Sequence, residues 1–313
     1  MTPEVPDRDD WFSEELGFPR PDWQAVSGWM QAQVGQADLH ASWQQAARHW
    51  LTRLRNGLGG KYAMAESAHF HLLSELELSQ QDEQLKFLET IRIRLLDTLG
   101  DIAWAPGTGK HVVLRFTEQD DYFAYLSYFY PDGNYATSGG VLLSRGYVHV
   151  AYPAATANYE RAVLAHELTH NLLCHLPLPR WLDEMLAMLF QAQIANGGAP
   201  AMNAELAEQH YAFWDASRIQ QFWRGELFRT EEGQELSYGL AGVLQVLILT
   251  DLRPSPEKFR RFVLRAKWHD AGALAAREEL GIKLGDLVGR FLGSGDWSPA
   301  EPLWPGKSEA VPG

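Results

Sequence analysis

Apolar residues recur at helical spacing in "WQQAARHWLTRLRNGL" (43–58) and stop at Gly59-Gly60, so residues 1–60 read as a helical N-terminal extension. The period then shortens. "HFHLLSEL" (69–76) alternates as a strand does, and "DEQLKFLETIRIRLLDTLG" (82–100) returns to an amphipathic helix that ends at a glycine. "KHVVLRF" (110–116) is a β-branched strand, and "DDYFAYLSYFY" (120–130) a helix expected to pack over a sheet. "VLLSRGYVHVAY" (141–152) gives two short strands hinged at Arg145-Gly146. From Asn158 onward the pattern is helical, broken by "LPLP" (176–179), "NGGAP" (196–200) and "RPSP" (253–256). These patterns predict an α+β fold: a small mixed sheet with an edge hairpin, packed on a helix, then a mainly helical C-terminal half. The expected division is 1–60, then 61–295 (a sheet-bearing half, 61–156, and a helical half, 157–295), with a loose tail at 296–313.

Composition narrows the function classes. The 313 residues are 46% hydrophobic and 21% charged, as expected of a chain that buries a core. Forty acidic against 27 basic side chains leave a formal charge of −13, which disfavours a nucleic-acid partner. The acidic, proline-interrupted start lacks the pattern of a secretory signal. The longest apolar run, "GLAGVLQVLIL" (239–249), has the length of a core helix and predicts no membrane span. With one cysteine, Cys174, there is no internal disulfide framework. The expectation is a cytoplasmic protein, monomeric or weakly oligomeric.

The candidate chemistry lies in "LAHELTHNLLCHLPLPRWLDEM" (164–185). His166 and His170 are four apart in a breaker-free helical stretch, so both imidazoles can reach one ion. Glu167 sits beside the first histidine, where it can take a proton from a metal-activated water without being a ligand. A catalytic zinc takes three protein ligands and leaves one position open, and Glu184, 14 residues after His170, can be the third. Asp183 is the alternative ligand, or a support for a histidine. His175 reads as a surface or cap residue, Cys174 as a buried helix cysteine, and His69 and His71 as exposed.

"HELTH" followed by "WLDEMLA" resembles the gluzincin zinc metallopeptidases, in which H-E-x-x-H precedes a helix carrying W-L-x-E. The order of elements from about Ala65 to Leu292 is similar to bacterial peptidase MA-like domains. The resemblance implies His166, His170 and Glu184 as ligands of one Zn2+ per chain and Glu167 as the catalytic base. It also implies a later tyrosine that stabilises the tetrahedral intermediate, for which Tyr238 is the match. His210 and Tyr211 are a second candidate donor pair. The chain departs from the family in its short His170–Glu184 interval, in Met185 where glycine is usual, and in Met188 where thermolysin-like enzymes have aspartate. It also lacks a G-x-M-E-N strand; "GGAPAMN" (197–203) falls after the motif instead of before it. The expected activity is peptide-bond hydrolysis on a peptide or protein substrate. The alternative is an inactive metallopeptidase-like domain that serves as a binding or regulatory module.

Overall fold

The computed structural model describes residues 4–103, 109–131, 133, 139–194 and 202–300. The expected tail lies outside them beyond Ala300, as does most of the "GGAPAMN" stretch. The described residues form two compact units, 4–94 with 109–171, and 95–103 with 172–300; one division falls inside a continuous helix, after Asn171.

In the first unit, strands β1 (Phe12–Glu15) and β2 (Phe18–Pro21) form an antiparallel hairpin within the stretch expected to be helical. Leu16 and Gly17 turn it with φ of +54° and +79°, both in the left-handed region. Two-residue hairpin turns need that pair of angles, but a leucine there is uncommon, so the usual Asn-Gly or Asp-Gly signal is missing. Pro19 and Pro21 also deny this stretch the donors a helix interior needs. Helices α1 (Trp23–Gln33), capped by the Asp22 carboxylate, and α2 (Leu39–Leu58) follow.

Five further strands, β3 (Ala63–Glu66), β4 (Phe70–Ser74), β5 (His111–Phe116), β6 (Val141–Leu143) and β7 (His149–Pro153), make a mixed sheet in the order β3-β4-β5-β7-β6. The inner three are parallel, and β3 and β6 run antiparallel at the edges. Helices α3 (Leu78–Leu99), α4 (Gln119–Ser127) and α5 (Ala157–Leu173) complete this part of the chain. Strand alternation sorts the side chains onto two faces. Leu73, Val112, Leu114, Phe116 and Ala151 pack with Trp50, Leu51 and Leu54 of α2 and Tyr122, Tyr125 and Leu126 of α4. The expected helix over the sheet is therefore α4. His71 shares this face and is fully buried, which corrects its expected exposure; Glu66 Oε2 lies 3.3 Å from its Nδ1. The opposite face carries His111, Arg115 and Tyr152, which reach α5 and α3.

The second unit is helical: α6 (Arg180–Ile194), α7 (Ala204–Phe213), α8 (Ala216–Trp223), α9 (Gln234–Val246), α10 (Pro256–Arg265) and a last helix at Leu284–Leu292. Ser255 caps α10 with a proline in its first turn, so "RPSP" is a stop and a start. Helix α6 is apolar around most of its circumference and packs along α9. A π-helical turn prolongs α9, and the continuous stretch Gln234–Leu252 is long and apolar enough, by length and composition alone, to cross a membrane. That is longer than the run legible in the sequence.

Candidate metal centre

Helix α5 is pinned to β5 at both of its ends. The Glu160 carboxylate accepts from Arg115 Nε and Nη2 at 3.1 and 2.9 Å and from the Ala155 amide at 2.8 Å, and both side chains are nearly buried. Eleven residues on, the Asn171 side chain is hydrogen-bonded to His111, whose pKa burial lowers to about 4. Eleven residues are close to three helical turns, so both anchors lie on one face. At about 100° per residue, His166 and His170 point roughly 110° away from that face, and Glu167 sits between, about 30° from the anchors. The half-buried Glu167 carboxylate makes no hydrogen bond or ion pair among the described residues.

One ligand atom each of His166, His170 and Glu184 lie within 4.8 Å of one another. The two Nε2 atoms are 3.1 Å apart, and the imidazole planes meet at 76°. With zinc–nitrogen bonds of about 2.0–2.1 Å, two tetrahedral ligands stand about 3.3 Å apart, so the observed gap suits a shared ion. The third side chain is on α6, and its carboxylate is wholly buried. A buried carboxylate needs a compensating cation. Arg180, one turn earlier on α6, supplies one, with Nη2 2.6 Å from Glu184 Oε1. The sequence reading missed Arg180, although the Arg-x-x-x-Glu spacing along α6 was its signal. The donor set of two imidazoles and one carboxylate fits a zinc ion, with Arg180 as the competing partner of Glu184.

The other expected residues fall as follows. Asp183 is half-buried in the first turn of α6, and its charge acts on Cys174. Helix α5 ends at Leu173, so Cys174 lies in the following turn and is exposed, not buried as expected; His175 beside it is exposed. Tyr238 is on α9, half-buried with its ring edge-on to Phe228. His210 and Tyr211 part company: Tyr211 is largely exposed and His210 is buried on α7. The Trp214 indole donates to His210 Nδ1 at 2.9 Å, so Nε2 carries the proton of a neutral ring, and burial lowers the pKa to about 4. That Nε2 faces Gly239, where an added Cβ would come within 2.6 Å of it.

At the sheet edge, an added Cβ on Gly140, just before β6, would overlap Val163 Cγ1. The edge strand thus starts hard against α5, one turn ahead of His166 and Glu167. Compared with known proteins, the chain matches no family model, no curated protein and no solved structure.

Proposed function

We propose that this chain is a zinc-dependent peptidase of the gluzincin type, closest to the peptidase MA-like domains. The observation that carries the reading is the convergence of His166, His170 and Glu184, with an unengaged Glu167 on the same helix turn. The order of elements supports it: a strand, a long helix, a β-branched strand, a helix and an edge hairpin precede α5, as in those domains. His166, His170 and Glu184 would hold the ion, which when bound supplies Lewis acidity to a scissile carbonyl and to a water. The Glu167 carboxylate takes the proton of the attacking water and returns it to the leaving amine nitrogen. The Tyr238 hydroxyl donates to the developing oxyanion. The outer side of β6 offers backbone donors and acceptors to an extended peptide, and Gly140 keeps that strand close to Glu167. Metal analysis of the purified protein, combined with turnover of a peptide library by wild type and Glu167→Gln, tests the reading. Near one zinc per chain in both proteins and turnover only in wild type supports it; metal-free protein overturns it.

A second reading rests on the 2.6 Å Arg180–Glu184 pair, which already neutralises the third ligand. In it, the domain is an inactive scaffold that binds a partner. Bound zinc with no wild-type turnover across the library favours that reading.

A further inference from the structure

A cavity of about 900 Å³ opens within the first unit, between the β1–β2 hairpin, α1, α2, α4 and the Arg145-Gly146 turn. It lies on the α2 and α4 face of the sheet, opposite the face that carries α5. Its size is that of a small-molecule site. Trp11, Trp23, Trp43, Trp50 and Phe129 supply apolar wall. Gly146, at φ +85°, lets the turn close on the wall, since a Cβ there would overlap the Trp23 indole.

Arg20 also lines this cavity, and only 4% of it is exposed. Its Nη2 donates to the Tyr125 carbonyl at 3.1 Å, and its guanidinium carbon lies 4.6 and 4.3 Å from the Tyr125 and Tyr128 ring centroids. Aromatic faces attract a cation across its plane but accept none of its in-plane N–H groups. The Arg20 Nε is buried with no acceptor, and among the described residues no carboxylate pairs with the guanidinium; Glu15 acts on it only at a distance. The two lining carboxylates are committed elsewhere, Asp10 to Arg8 and Asp22 to the first amides of α1. Arg145, exposed at the rim, also has no ion pair among the described residues. A desolvated cation without a counter-charge is costly unless something negative joins it.

We propose that this cavity binds a small organic carboxylate, its anionic end held by Arg20 with help from Arg145 and its aromatic or apolar body lying among the tryptophans. The site stands independently of the metal reading. The lining tryptophans report on it directly, so the test is titration of the full-length protein followed by tryptophan emission and calorimetry. Three probes are compared: 3-phenylpropionate, its uncharged analogue 3-phenylpropanamide, and inorganic phosphate. The acid is expected to saturate the site with Kd of about 1 mM or tighter and to bind about tenfold more tightly than the amide. Arg145→Gln should weaken it about threefold, and Arg20→Lys, which keeps the charge but loses the planar fork, about tenfold. Should Arg20→Lys fail to fold, the acid-to-amide ratio and Arg145→Gln decide. Equal binding of acid and amide, binding of phosphate alone, or no saturable binding of the acid up to about 10 mM would each overturn the proposal.

Discussion

The decisive feature at the residue scale is a pair of imidazole nitrogens 3.1 Å apart. Such a contact needs either a single shared proton or a common ion, and a buried Glu184 carboxylate nearby favours the ion. If Glu167 is the base, Glu167→Gln leaves the zinc content near one per chain while kcat/KM falls about 10²–10⁴-fold. Retained turnover in that variant rules Glu167 out. Arg180 gives a second prediction. Arg180→Gln removes the guanidinium that neutralises Glu184, so the metal-free protein should melt at a lower temperature than wild type. Zinc should then raise the Tm of the variant by more than it raises that of wild type, because the ion no longer competes with a guanidinium. Equal zinc-induced shifts would show that Arg180 and the metal do not compete.

Helix α5 is placed at the element scale by contacts outside the motif. Its N-terminal end is held by the nearly buried Arg115–Glu160 pair. Arg115→Ala leaves Glu160 buried without its cation and should cost roughly 3 kcal/mol in chemical denaturation. A loss of less than about 1 kcal/mol, the level of an exposed pair, would show that this anchor is not structural. The edge strand β6 depends on the missing side chain at Gly140. Gly140→Ala should push the strand off Val163, costing about 1–3 kcal/mol. On the peptidase reading, it should also raise KM for extended peptides while zinc stays bound. Adding Val163→Ala should restore most of both losses; if it restores neither, the steric account fails.

At the scale of the whole molecule, burial makes the fold acid-sensitive. Desolvation lowers the pKa values of His71, His111, His149 and His210 from 6.5 to about 4. Between those values the unfolded chain binds protons that the folded chain does not. Stability is therefore full above pH 6.5, declines as pH falls toward 4, and levels off with respect to these groups below that. His149 is the cleanest probe: its Nδ1 donates to the Tyr147 carbonyl, and its Nε2 accepts from the Tyr125 hydroxyl. In thermal unfolding across pH 7.5 to 4, His149→Gln should reduce the protons taken up on unfolding by about one. An unchanged pH slope would mean that this ring is not held neutral.

The boundary between sequence and tertiary structure falls at identifiable residues. Hydrophobic period alone identified β4, α3, β5, α4 and the β6–β7 hairpin, because each buries a face with its own spacing. The spacing of His166 and His170 put both rings on one side of α5, since helix geometry is local. The β1–β2 hairpin escaped notice because its turn places a leucine at positive φ. His71 was misjudged because burial depends on which helix covers a strand face, and α2 covers this one. Neither the Arg180 contact nor the Gly140–Val163 approach depends on composition; they arise where side chains meet. The sequence by itself determined the candidate ligands and the succession of elements from β4 through α6, for both follow from interactions a few residues apart. Only the tertiary structure decided that a cation stands ready beside Glu184 and that Arg20 lines a cavity where, among the described residues, no carboxylate pairs with it, because burial and pairing belong to the packed chain.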